Sequence, residues 1–275
     1  GNEVLAMRSY KILQGKRVGL LTNTSGVDGR GRSIIDILHN SPKVNLVALF
    51  GAEHGVDGKI PAGKEFPNST HHRTGLPIFS LYGPGPVRKP TPNMLRNIDC
   101  LVYDIQDTGA RSYTFISTMG LCMEECGKAG VDFIVLDRPN PLGGERIEGL
   151  ILNPRFKSLV GQWKIPYVYG MTSGELAYMI SGKGWISHRP KISIVKMKGW
   201  KRSMTWPGCN CQVIGCCWQL QPVEIEVNKW WFALGVMLRK GKGWAGDRFV
   251  DAHSRGNTLH QRGFACTESA LEKQQ

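Results

Sequence analysis

The sequence predicts an α/β fold: a mostly parallel sheet with helices on both faces. Three observations carry this. Short apolar runs alternate with helix-like segments from residue 16 to about 140. The runs are near-continuous, as in strands buried on both faces. Polar and ionisable residues follow run after run, at what would be the carboxyl edge of the sheet, where open α/β sheets bind ligands.

The elements follow in order. RVGLLT (17–22) reads as a buried strand, and SIIDILH (33–39) as a helix with Ser33 placed to cap it. VNLVALF (44–50) is a second strand and IFSLY (78–82) a third. Thr91-Pro92 reads as an N-cap with proline at the first helical position. CLVYDI (100–105) is a fourth strand, Tyr113–Lys128 a helix stopped by Gly130, and FIVL (133–136) a fifth strand. VYGMTSGELAYMI (168–180) ends in a helix, where Thr172 and Glu175 have the T-x-x-E spacing of a capping box. ISIV (192–195) is a further strand. The division expected is 1–150 for the sheet domain, 151–205 for the start of a second, and 206–275 for an atypical tail.

The strand tips supply the candidate site. Asn23 and Thr24 follow the first strand, Glu53 and His54 the second, and the third runs into Tyr82 and Gly83. Gln106 and Asp107 follow the fourth, just after Asp104 at its end, and Asp137, Arg138 and Asn140 follow the fifth. Loops are polar in any case, which accounts for Asn23 and Thr24. It accounts poorly for DIQDTGAR (104–111) and DRPNP (137–141), where charges are concentrated.

Bulk properties are those of a globular chain of 275 residues, with 41% hydrophobic and 21% charged residues. No run approaches the roughly 18 apolar residues that span a bilayer, so no membrane partner is expected. The first residues, GNEVLAMRSYKILQGK, carry neither an initiator Met nor an apolar leader, so localisation stays unassigned. The net charge of +13 invites nucleic acid, but Lys and Arg are scattered singly, and no nucleic-acid partner is expected. Cys100 lies in an apolar run and reads as a small buried hydrophobe, while CNC and CC after residue 208 lack metal-site spacing. Neither a metal nor a cofactor is expected.

Motif chemistry narrows the function. SGVDGRG (25–31) is not G-x-G-x-x-G, and neither a P-loop nor a G-x-S-x-G elbow occurs. What remains is carboxylates: Glu53, Asp104, Asp107, Glu145, Glu148 and Glu175. Paired carboxylates are the equipment of glycoside hydrolysis, one giving a proton to the leaving oxygen while the other attacks or activates water. The bland alternatives are a solvated Glu145, a capping Glu175, and an Asp107 that pairs with Arg111 four residues on.

The blocks FGAEHGVDGKIPAGKE, TGLPIFSLYG, KPTPNML, DIQDTGARSYTFISTM, VLDRPNPLGG, IEGLIL and GMTSGELA occur in this order. Over about residues 10–205 the chain thereby resembles the exo-β-N-acetylmuramidase family. The resemblance implies a Rossmann-like N-terminal domain, a smaller C-terminal one with the active site in the cleft between them, and release of N-acetylmuramic acid from the non-reducing ends of peptidoglycan fragments. It implies a muramic-acid-containing glycan as partner and leaves the oligomeric state unassigned. The block FGAEHG gives Glu53 and His54, with Ala52 where the family has proline. DIQDTGARSYT gives Asp104, Gln106, Asp107, Arg111 and Tyr113; DRPNP gives Asp137, Arg138 and Asn140; IEGL gives Glu148. Glu53 is expected in the catalytic pair, with Glu148 ahead of Glu175 for the second place. Asn23, His54, Tyr82, Asp104, Gln106, Asp107, Arg111, Tyr113, Arg138 and Asn140 are expected to bind the sugar, with an Arg fork suited to the lactyl carboxylate.

After MTW (204–206) the chain leaves the family pattern. Five of the eight Cys and five of the eight Trp fall beyond residue 203. Codons able to encode CNCQVIGCCWQL read QLPSDWVLLAT in a shifted frame, much what the family carries there. The expectation is an out-of-frame segment from about residue 208 and a chain inactive for want of its second domain. The non-catalytic alternative is a carbohydrate- or nucleotide-binding module.

Overall fold

A computed structural model of the chain describes residues 1–84 and 88–205. The atypical tail lies outside the described residues. Seven strands form one sheet in the order β3-β4-β2-β1-β5-β6-β7. They are β1 (Arg17–Thr22), β2 (Asn45–Gly51), β3 (Ser69–Thr70), β4 (Pro77–Ser80), β5 (Cys100–Asp104), β6 (Asp132–Leu136) and β7 (Ile192–Val195). Every pairing is parallel except β3–β4 at one edge. The helices are α1 (Asn2–Met7), α2 (Ile34–His39), α3 (Pro92–Leu95), α4 (Thr114–Ala129) and α5 (Ser173–Gly182).

The predicted strands and helices are thus present, with boundaries moved by one or two residues. Among the strands and α-helices, two short ones escaped the sequence. α1 buries only Asn2 and Leu5, and β3 is two exposed residues. Residues 151–205 add β7 to the same sheet and pack α5 into the core beside it.

Successive strand residues face opposite sides, so one strand feeds two cores. Leu21, Phe50, Leu101 and Tyr103 point to a core shared with α4 and α5. Val18, Leu20, Leu49 and Val102 point to a second core with Leu5, Ile34 and Leu38 from α1 and α2. Cys100, Cys122 and Cys126 are buried free thiols, as expected of Cys100, whose thiol burial pushes up to about 12.

Two local features position the site. Gly120 on α4 leaves room for the Trp163 ring, since a Cβ there would lie 2.1 Å from Cζ2. Trp163 Nε1 also donates to the Ile116 carbonyl at 2.9 Å. This clamps the 146–168 segment to α4. That segment doubles back on itself, with Glu148 bridged to Val168 and Ser158 to Gly161.

Candidate active site

Strand order reverses at β1. The chain runs outward through β2 and β4, then returns to the other side of β1 as β5. The crevice outside the carboxyl ends of β1 and β5 is therefore the topological switch point.

Side chains at this edge are buried and only partly satisfied. Asn23 Oδ1 accepts from the Ser25 amide at 2.9 Å and hydroxyl at 2.5 Å, and Ser25 Oγ accepts from the Gln106 amide at 2.9 Å. Gln106 Nε2 donates to the carbonyls of Asp107 and Pro139, both at 2.8 Å. Asn23 Nδ2, Thr24 Oγ1, Gln106 Oε1 and Asp107 Oδ1 are buried without a hydrogen-bond partner. Four such atoms on the segments leaving β1 and β5 mark a place where polar groups await a ligand or water. A cavity of about 1160 Å³ reaches Asn23 and Thr24 from the α1–α2 side, and Glu53 does not line it.

Glu53 sits on the other face, half-buried beyond the end of β2. Its Oε1 accepts from the Gly63 amide at 2.8 Å and its Oε2 from the Thr114 hydroxyl at 2.6 Å. Thr114 opens α4, so the carboxylate lies at the N-terminus of a 16-residue helix, where backbone dipoles favour negative charge. Tyr82 joins this cluster: burial first, then the Glu53 charge, pushes its hydroxyl up to about 12. The Arg88 guanidinium lies 4.2 Å from the centre of the Tyr82 ring. His54 is held in the left-handed region at φ 70°, rare for a residue with a side chain. Its Nδ1 is 2.9 Å from the Ile60 carbonyl, which can only accept, so Nδ1 carries the proton and a neutral ring keeps its lone pair on Nε2.

Asp107 is the other unusual carboxyl, 5% exposed. Its Oδ2 accepts from the Gly109 amide at 2.8 Å and from the Tyr169 hydroxyl. Burial raises its pKa to about 6, against the opposing pull of Tyr169 and of the Gly109 and Thr108 amides. Gly109 has φ +82°, and a Cβ there would meet Asn140 Oδ1 at 2.2 Å, so the loop requires glycine.

Several expected sugar ligands make hydrogen bonds that hold the loops together. Arg138 forms a buried bidentate pair with Asp104, at 2.6 and 3.0 Å, and donates to the Val27 carbonyl at 3.1 Å. Asn140 Nδ2 donates to the Met171 carbonyl at 2.9 Å, and Oδ1 accepts from the Leu142 amide at 2.8 Å. Arg111 Nη1 donates to the carbonyls of Leu150 and Ile165, both at 2.8 Å, pinning the 146–168 segment. The four-residue spacing of Asp107 and Arg111 has no helical meaning, because α4 begins only at Thr114, with Tyr113 as its N-cap.

The two candidates for the second catalytic carboxyl are both engaged. Glu148 is bound by Arg146 through two hydrogen bonds, one of them 3.0 Å from Nη2 to Oε2. Glu175 Oε2 accepts from the Thr172 amide at 3.0 Å, completing the predicted capping box, and Oε1 accepts from Arg202 at 2.6 Å. Asp137 ties β6 to the start of α5, accepting from the Gly174 amide at 2.8 Å and the Thr172 hydroxyl at 3.0 Å. Sequence reasoning missed Thr114, Gly63 and Tyr169. Thr114 and Gly63 lie within quoted blocks and Tyr169 just before one, but nothing in their spacing marks them. Among the described residues no group of three or more His, Cys, Asp or Glu is placed to hold a metal.

Residues 18–219 match the family described as Exo-beta-N-acetylmuramidase NamZ, N-terminal. Over 204 residues the chain is 50% identical to Peptidoglycan beta-N-acetylmuramidase NamZ of Bacillus subtilis (strain 168), which covers 74% of this chain and 48% of that protein. Two crystal structures of DUF1343 family proteins from Bacteroides fragilis NCTC 9343 are similar. One has 53% identity and a TM-score of 0.71, covering 76% of this chain and 52% of the other. The second has 34% identity and a TM-score of 0.63, covering 73% and 52%. The chain spans about half the length of the relatives it matches.

Proposed function

Because the chain belongs to the exo-beta-N-acetylmuramidase NamZ family through its N-terminal region, we propose that it is a glycoside hydrolase releasing N-acetylmuramic acid from the non-reducing ends of peptidoglycan fragments. The observation that carries the reading is Glu53. Both its oxygens are fixed by donors, at a helix N-terminus, on the carboxyl side of a parallel sheet. A carboxylate so oriented suits attack on, or water activation at, an anomeric carbon. His54 and Tyr82 flank it and line the sugar's approach. Asn23 and Gln106 offer unpartnered polar atoms to a sugar. Asp104, Arg111, Arg138, Asn140 and Tyr113 act one step back, setting the loops that carry these groups. Glu148 and Glu175 serve Arg146 and the α5 cap in this reading rather than the reaction.

A second reading, a sugar-binding module without turnover, rests on the altered composition after residue 206. In it, those residues are out of frame and the second wall of the cleft is missing. Transcript sequence across Pro207 checks that directly, since an uninterrupted frame removes it. The experiment for the main reading is release of N-acetylmuramic acid from a chromogenic muramide. Wild-type release, lost in Glu53→Gln, is expected. Equal release by both proteins would remove Glu53 from the reaction. Binding of the sugar without release would favour the second reading.

A further inference from the structure

We propose that Asp107 is the acid of the catalytic pair, holding on Oδ1 the proton that passes to the leaving glycosidic oxygen. The inference rests on the glycosidase reading and deepens it. It starts from an asymmetry within one carboxyl. Oδ2 takes two donors, the Tyr169 hydroxyl and the Gly109 amide, whereas Oδ1 is buried and has none. An ionised carboxyl in that position would leave half its charge unsolvated, which burial strongly disfavours. A neutral carboxyl resolves the asymmetry, with the acceptor oxygen toward the donors and the O–H on the other oxygen, lacking only an acceptor. A glycosidic oxygen is such an acceptor.

Glu53 is built the opposite way. Each of its oxygens accepts a hydrogen bond, and a helix N-terminus faces it. Both carboxyls face the same β5–α4 connection, Asp107 within it and Glu53 through Thr114 at its end. One carboxyl with both oxygens accepting and another with one bare oxygen are so differently surrounded that they suit an acid and its partner. In the step itself, the bond between C1 and the leaving oxygen breaks. Its electron pair stays with that oxygen, which takes the Oδ1 proton. Water then supplies a hydroxyl to C1 and a proton to the carboxyl pair. Tyr169 and Gly109 remain to stabilise the Asp107 carboxylate that results.

The ionisable groups facing Asp107 are Tyr169 and, from β5, Tyr103; burial first raises both well above 10. Neither changes charge near neutrality.

The test uses the 275-residue chain with two substrates, an N-acetylmuramyl-N-acetylglucosamine disaccharide and a 4-nitrophenyl muramide. A poor leaving group needs the acid and a good one does not. Asp107→Asn is expected to lower kcat/KM about 100-fold or more on the disaccharide, the usual scale of general acid catalysis, and far less on the aryl substrate. Tyr169→Phe removes a donor that lowers the Asp107 pKa, so the alkaline limb of the pH profile should move to higher pH. Equal losses on both substrates, or an unmoved limb, would overturn the assignment while leaving the glycosidase reading intact. No turnover of either substrate by wild type would remove that reading instead. The proton is then judged by infrared difference spectra against Asp107→Asn. A neutral carboxyl band at pH 5 that vanishes by pH 7.5 is expected, and its absence at pH 5 overturns the inference.

Discussion

Replacing Arg138 with methionine should destabilise the protein severely, through Asp104 rather than through lost contacts. Asp104 is 0% exposed and the Arg138 side chain 7%. The guanidinium holds both carboxylate oxygens and reaches the Val27 carbonyl beside β1. Methionine fills similar space but leaves a carboxylate sealed between β1 and β6 without the guanidinium that binds both its oxygens. Removing one partner of a buried pair costs about 3–5 kcal/mol. Adding Asp104→Asn removes the stranded charge and should regain most of this, leaving a net cost of about 1–2 kcal/mol for the lost hydrogen bonds. The assay is urea unfolding of wild type, both single variants and the double variant, comparing midpoints at constant slope. A single Arg138→Met cost below about 1 kcal/mol would refute the reasoning, as would a double variant whose cost is the sum of the singles.

Three further outcomes are expected. Asp107→Asn should stabilise the protein at pH 8 and do so much less at pH 4.5. The folded carboxyl titrates near 6, above its unfolded value, so its favourable contribution is complete below about 3.9 and is lost as pH rises through 6; urea midpoints at the two pH values test the sign. Gly120→Ala should cost about 1–3 kcal/mol by driving a methyl into the Trp163 ring, read as a lower midpoint and altered Trp fluorescence. Thr172→Ala should cost about 1–2 kcal/mol in thermal unfolding, losing the cap on the Glu175 amide at 3.2 Å and a bond to Asp137.

The sheet was legible because a parallel sheet covered on both faces demands continuous apolar strands, and RVGLLT and CLVYD are that. The helix ends were legible where caps are local, as at Ser33, whose side chain accepts from the Ile35 amide, and at Gly130, left-handed at φ 68°. α1 was not, since two buried residues give no periodicity. The strand tips were legible as the edge where polar side chains collect, and Glu53 stood out there by position. The roles were not. Whether Asp107 keeps its proton depends on Tyr169, 62 residues away, and on burial that only the folded loops create. Glu148 ranked above Glu175 because the capping box gives Glu175 a structural role; the contact of Glu148 with Arg146, two residues earlier, is made in the extended segment bridged to Val168 and carries no mark in the sequence.

The central claim is that the carboxyl edge around β1, β2 and β5 receives a muramic-acid sugar. Co-crystallisation with N-acetylmuramic acid tests it most directly. The account predicts the sugar within hydrogen-bond reach of Glu53, with density also against Asp107 Oδ1. A sugar bound at the opposite edge of the sheet, or in the α1–α2 cavity away from Glu53, would contradict it.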